Sequence, residues 1–356
     1  MQALIEGEAV QSLNFRHRGT TLLEGIPLAG FVLRLRRYFG ACHRYGKGFF
    51  MKVLITGGAG FIGTNLVARL RQMSDVYIRI LDNEALGRRE HLDGFDGEFI
   101  RGDITDRDAL DRALEGMNTV VHLAADTRVM DSIINPAFNF AVNAHGTFSL
   151  LEAMRARGIT RLVNASTGGA ILGEAQPPVH EEMVPRPLAP YGASKLTAEG
   201  YCSAYAGSYD FKALSLRFSN VYGPRSFHKG SVVAAFLKRV LIGEPLVVYG
   251  DGSQTRDFVF VDDLCQGIFS GMTADATGVI QLGSGRPFTV NKLIEEIRLV
   301  VAPRPVEVRY EPARSGEVHT TWCDIAKARR KLGFDPVTRL EEGLARTWRW
   351  FLDRTA

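Results

Sequence analysis

Cysteine is scarce in this sequence. Cys42, Cys202, Cys265 and Cys323 are widely spaced and form no C-x-x-C pair. That argues against a disulfide framework and a zinc site, and no metal is expected; a reducing cytoplasm fits. No run of 18 apolar residues occurs, so no transmembrane helix is expected. Most of the chain also lacks excess charge. The first fifty residues hold seven Lys and Arg against three Asp and Glu, and the other 306 hold 36 of each, so the net charge of +4 resides in the leader. A balanced body gives no reason to expect nucleic acid as a partner. Internal repeats and low-complexity tracts are absent as well.

The leader differs in character from the body of the chain. Its apolar stretch from Ile26 to Leu33 is short and carries Pro27 and Gly30, and Arg34, Arg36, Arg37 and Arg44 come after it. This is not the order of a signal peptide. A poorly ordered extension over 1–50 is expected, with a basic membrane-surface helix as the weaker alternative. Met51 then opens a segment that reads as a complete domain.

The chain of 356 residues, 46% hydrophobic and 23% charged, has room for one large α/β domain and a smaller lobe. Short apolar runs at 53–56, 76–81, 119–123, 161–165 and 212–218 read as strands. Helical spacing appears at 61–73, 106–115, 136–157 and 191–208. This alternation predicts a doubly wound, Rossmann-type parallel sheet covered on both faces. After Pro224 the pattern loosens into helical stretches at 231–242, 289–301 and 340–353. The expected division is a main domain over 51–224 plus about 255–282, and a smaller mixed α/β lobe over 225–254 and 283–356. The chain is expected to return to the main domain near Arg256 to Met272.

Between the first strand and first helix stands Gly57-Gly58-Ala59-Gly60-Phe61-Ile62-Gly63. Glycines allow a tight turn and close approach of backbone N–H groups to a pyrophosphate, whose charge the helix N-terminus favours. Asp82 ends the second strand 19 residues beyond Gly63, followed by Asn83. A carboxylate there accepts hydrogen bonds from an adenosine ribose and repels a 2′-phosphate, which favours NAD over NADP. Asp103-Ile104 follows the third strand, where it would flank adenine. Leu123-Ala124-Ala125 ends the fourth with the small residues that close approach to a cofactor requires.

Tyr191 and Lys195 lie four apart on a helix and therefore share one face. An ammonium beside a phenol favours the phenolate, which makes tyrosine an acid/base near neutral pH. Ser166-Thr167 ends the fifth strand, 25 and 24 residues before Tyr191. A hydroxyl at that point can hydrogen-bond a reacting oxygen.

Together these motifs resemble the extended short-chain dehydrogenase/reductase superfamily. Arg217-Phe218-Ser219-Asn220-Val221-Tyr222-Gly223-Pro224-Arg225, Tyr249-Gly250-Asp251-Gly252 and Arg256-Asp257-Phe258-Val259 resemble its UDP-galactose 4-epimerase branch, across about residues 51–352. The resemblance implies an NAD-dependent nucleotide-sugar 4-epimerase, a homodimer packed through helices like 136–157 and 191–208. It places Asn143 near the cofactor, and Asn220, Arg256 and Arg314 on the diphosphate. Arg225 is a further substrate candidate, and Glu317 falls on a uridine ribose. It also implies the chemistry. Tyr191 phenolate takes the proton of the sugar 4-hydroxyl, hydride leaves the same carbon for NAD, and the keto-sugar turns over to receive it on its other face.

Dehydratases of the superfamily follow the catalytic Thr with Asp-Glu, whereas Thr167 is followed by Gly168-Gly169, which argues against dehydration. A decarboxylase would also want an acid in this loop. Ile171-Leu172-Gly173 stands where the family usually has Val/Ile-Tyr-Gly, so one phenol is missing. Ser166 and Thr167 are both candidates for the catalytic hydroxyl, with Thr167 preferred. Thr321 falls at a size-gating position filled by Tyr in hexose-restricted members, which predicts room for an N-acetyl group. Arg128, Arg225, His228 and Lys229 are alternative readers of a hexuronate carboxylate. The sugar stays open among UDP-hexose, UDP-N-acetylhexosamine and UDP-hexuronate. A non-catalytic NAD-binding sensor is the remote rival, since such proteins often lose the Tyr or Lys kept here.

Overall fold

The structure, a computed structural model, describes residues 51–313 and 318–355. The extension expected over 1–50 lies outside the described residues.

Seven strands form one parallel sheet: β1 (Met51–Thr56), β2 (Val76–Asp82), β3 (Glu98–Arg101), β4 (Thr119–His122), β5 (Arg161–Thr167), β6 (Lys212–Phe218) and β10 (Gly278–Leu282). Their order is β10-β6-β5-β4-β1-β2-β3. Val53, Leu54 and Ile55 are all fully buried, because helices cover both faces and a strand so enclosed needs an unbroken apolar run. The order reverses between β1 and β4. Register sets Thr56 beside Leu81 on one side and His122 on the other, so three strands end together at a crevice where ligands of open α/β sheets bind.

The helices are α1 (Phe61–Leu70), α2 (Arg107–Leu114), α3 (Val129–Ile134), α4 (Pro136–Phe140), α5 (Gly146–Ala156), α6 (Gly168–Leu172), α7 (Pro190–Tyr209), α8 (Val232–Ile242), α9 (Val261–Thr273), α10 (Val290–Val301), α11 (Ala326–Leu332) and α12 (Leu340–Thr355). Residues of α1, α9 and α11 build the core on one face of the sheet, and those of α2, α5 and α7 the core on the other. A third core gathers α8, α10 and α12 with β8 (Leu246–Tyr249). β8 pairs with β12 (Val308–Glu311). β7 (Asn220–Tyr222), β9 (Thr255–Phe260) and β11 (Pro287–Thr289) make a small separate sheet.

One expectation needs correction. The helix expected over 136–157 is interrupted by a π-helical turn at Ala141–His145. Within that turn Asn143 is buried, its amide directed to the loop after β4. Such a widened turn re-aims one side chain at the expense of regular spacing. Over the span 256–272 where the chain is expected to return, β9 pairs with β7 and β11 and bridges Thr320 from Thr255, while Val259 and α9 pack into the core of the main sheet and β10 then adds its edge strand. Among the described residues, no helix is long and apolar enough to cross a membrane.

Candidate active site

A cavity of about 550 Å³ opens at the C-terminal ends of β1, β2, β4 and β5. Gly57, Gly60, Phe61, Ile62 and Gly63 form one wall. Gly57 has φ +71°, and a Cβ there would stand 2.6 Å from Ala124 N. A Cβ on Gly63 would stand 2.5 Å from Gly57 O. Only glycine lets turn and helix close this tightly, which leaves the start of α1 open to an anion.

Asp82 lines the cavity beside Asn83. Its carboxylate accepts from Ala59 N at 2.9 Å and Glu84 N at 2.8 Å. Burial pushes its carboxyl up, against the pull of these two amides. Asn83 donates to Asp103 at 2.7 Å. Asp103, Ile104, Leu123, Ala124 and Ala125 complete this end. A glycine cradle over a helix start, followed by a carboxylate at the end of β2, fits the pyrophosphate and ribose of NAD.

Tyr191, Lys195, Ser166 and Thr167 line the other end. Pro190 opens α7, and Ser132 Oγ accepts from Tyr191 N at 3.1 Å, which fixes the start of the helix. Strand alternation turns Ser166 and Thr167 opposite ways. Ser166 Oγ donates to Glu199 at 2.6 Å, and Glu199 forms a buried, bidentate pair with Arg217. Thr167 instead hydrogen-bonds the Tyr191 phenol.

The expected depression of the Tyr191 phenol is not found. Burial pushes it up to about 12, outweighing the Thr167 hydrogen bond, and the charge of Asp126 adds to the rise. Lys195 donates to Ala165 O at 3.0 Å, and burial pulls its ammonium down to about 8. Beneath the glycine turn, His122 lies 2.7 Å from Thr56 Oγ1 and 3.0 Å from Thr147 Oγ1. Burial holds it at about 3, so it is neutral at physiological pH.

Several predicted residues sit elsewhere. Asn143 does not line the cavity. It accepts from Asp126 N at 2.9 Å and donates to Asp126 O at 2.8 Å and Ser194 Oγ at 3.1 Å. Both N–H groups and the oxygen of its amide are engaged, so it clamps the loop after β4. Arg225 points away, donating to Thr64 O and pairing with Asp93 at 3.5 Å. Arg256 donates to the carbonyls of Thr255 and His319 and is not on the cavity wall. Thr321 lies off the wall too, facing Gly169. Leu172, where a tyrosine is usual, is buried in the core. Asn220 does line the cavity. Arg314 and Glu317 lie outside the described residues.

Sequence reasoning missed Asp126, Thr127 and Asp131 as cavity residues. Their position just after a strand that flanks the reversal point was the available signal. It also missed the clamp: Asn139 donates to Asp126 Oδ2 at 2.8 Å, and Ser194 Oγ bonds Asn139 at 2.8 Å and Tyr191 O at 2.9 Å.

Comparison with known proteins agrees with this architecture. The NAD dependent epimerase/dehydratase family model matches residues 53–283. UDP-glucose 4-epimerase of Mycolicibacterium smegmatis is 36% identical, over 86% of this chain and 100% of its own. UDP-glucuronate 4-epimerase of Thermodesulfobacterium geofontis is 33% identical, over 83% and 96%. The crystal structure of Thermotoga maritima UDP-glucose 4-epimerase with UDP-glucose superposes with a TM-score of 0.82 at 36% identity, over 86% and 100%.

Proposed function

This chain belongs to the NAD-dependent epimerase/dehydratase family, and from that premise we propose that it inverts C4 of a UDP-sugar through a transient 4-keto sugar. The observation that carries this reading is the neighbourhood of Thr167. A Cβ on Gly168 would stand 2.5 Å from Gln281 Oε1, within a fully buried part of the sheet. A side chain at Gly168 would first have to displace Gln281, and the loop offers no carboxylate of the kind dehydratases use, which supports epimerisation; the hydrogen bond of Thr167 to the Tyr191 phenol supports proton transfer at this end.

When bound, NAD would supply the hydride acceptor and donor for C4 and the positive charge of its oxidised ring. Gly57 to Gly63 and Asp82 hold the dinucleotide. Tyr191 takes the proton of the 4-hydroxyl and returns it after the sugar has turned over. A phenol near 12 is protonated at neutral pH, so positive charge has to lower it before it acts as a base. Lys195 provides that charge from the same helix face, and Thr167 orients the oxygen that loses the proton. Asn220, on the cavity wall, holds the diphosphate; the diphosphate and uridine roles that the resemblance gives Arg314 and Glu317 fall outside the described residues.

The lobe division given by the sequence, 51–224 with about 255–282 against 225–254 with 283–356, belongs to the same reading. So does a homodimer. Phe148 and Tyr201 on α5 and α7 are exposed, 5.3 Å apart, an apolar pair that suits a partner helix. The buried, unpaired Cys202, Cys265 and Cys323 suit a reducing cytoplasm.

The test is proton NMR of the protein with catalytic NAD and, separately, UDP-glucose, UDP-N-acetylglucosamine and UDP-glucuronate. A C4 epimer without NADH build-up is expected from one of them. A 4-keto, deoxy or decarboxylated product would keep the substrate class and overturn the reaction.

A further inference from the structure

Lys229 is a cation in the cavity wall without an anion. It lies on the segment before α8, and its ammonium donates to Thr127 Oγ1 at 3.2 Å. Among the described residues no carboxylate pairs with it. Burial and the neighbouring Arg128 both pull its ammonium down, with no acid acting in the other direction. The acids nearby are engaged elsewhere: Asp131 pairs with Arg128 at 3.2 Å, and Asp126 accepts from Asn139 at 2.8 Å. A half-buried ammonium held only by a hydroxyl is costly, and a ligand that closed over it without bringing negative charge would make it more so.

The position of Thr127 indicates which part of the ligand lies there. It follows Asp126, whose charge reaches the Tyr191 phenol and whose loop is tied through Asn139 and Ser194 to the Tyr191 carbonyl. Lys229 therefore belongs to the sugar end of the cavity, where Tyr191 acts. Resting on the reading of the cavity as a nucleotide-sugar site, we propose that Lys229 and Thr127 seat an anionic group of the substrate, and that this group is the carboxylate of a UDP-hexuronate. An ammonium with an adjacent hydroxyl can donate to both carboxylate oxygens, whereas the CH₂OH of a neutral hexose leaves the charge uncompensated.

The experiment is equilibrium titration of the NAD-loaded protein with UDP, UDP-glucose and UDP-glucuronate. UDP-glucuronate should bind about tenfold or more tightly than UDP-glucose. Lys229→Met should bring that ratio close to one, and Lys229→Arg should keep most of it. Equal affinity of the unmodified protein for the two sugars overturns the proposal, and that comparison needs no variant. Equal weakening of UDP and UDP-glucuronate in Lys229→Met also overturns it, because the cation would then serve the diphosphate. Affinity and turnover are read separately. If the acidic sugar is preferred but not epimerised, the epimerase reading fails and this one stands.

Discussion

Ser166 Oγ donates to Glu199 Oε1 at 2.6 Å, so the serine that precedes Thr167 completes a buried ion pair. The two adjacent hydroxyls should therefore respond differently to removal. Thr167→Val takes away the partner of the Tyr191 phenol and should lower kcat by about 10²-fold or more with little change in unfolding midpoint. Ser166→Ala should change kcat only a few-fold. Its cost is in stability, about 1–3 kcal/mol for a lost hydrogen bond to a buried charge. Steady-state kinetics and urea unfolding on both variants check this, and a reversed pattern would assign the catalytic hydroxyl to Ser166.

Gly57 tests the cofactor cradle. Gly57→Ala adds a methyl 2.6 Å from Ala124 N at a φ of +71°. NAD affinity should be lost, with destabilisation on the order of 1–3 kcal/mol. Gly158→Ala is the control. It has a similar φ of +65° and nothing within 4 Å of its Cβ. It should lose about 1 kcal/mol and bind NAD normally. NAD titration and urea unfolding of both proteins separate backbone strain from the loss of the cradle.

The sequence was informative where local chemistry and position coincide. Val53 to Thr56 and the glycine turn required a strand and helix start at that point, and Tyr191 and Lys195 share a face by helical spacing alone. It was less informative where a side chain's direction depends on distant partners. Asn143 lies in a π-turn that periodicity cannot reveal, so a residue expected at the cofactor clamps Asp126 instead. Arg225 and Arg256 carry the motifs of phosphate ligands, yet they donate to carbonyls brought near by the fold. Lys229 could be named as a possible carboxylate reader, but its isolation from acids emerges only once α8 is packed.

His122 predicts an acid limb in stability. Its folded value is about 3, depressed by burial from an ordinary 6.5. Between those values the unfolded chain takes up a proton that the folded one refuses. The stabilisation is therefore complete above about 6.5 and is lost as pH falls toward 3. The loss is on the order of 5 kcal/mol, with a slope near 1.4 kcal/mol per pH unit. Urea unfolding from pH 7 to 4 should show that slope, and His122→Asn should flatten it. An unchanged slope in the variant would assign the acid limb to other groups.

Lys195 predicts that activity and its own contribution to stability move in opposite directions in alkali. Burial pulls its ammonium down to about 8, from an ordinary 10.5. Tyr191 needs that charge, so kcat should fall as pH rises through about 8. Between 8 and 10.5 the unfolded chain holds a proton that the folded one has released, so the Lys195 contribution to stability rises with pH over the same window. Lys195→Met should lower kcat by 10²-fold or more, remove the kinetic limb near 8 and remove the matching rise in stability. A merely structural lysine would change the unfolding curve and leave the shape of the pH–rate profile intact. A pH–rate profile measured alongside urea midpoints from pH 7 to 10 therefore decides whether the ammonium acts on Tyr191 or only supports α7 against β5.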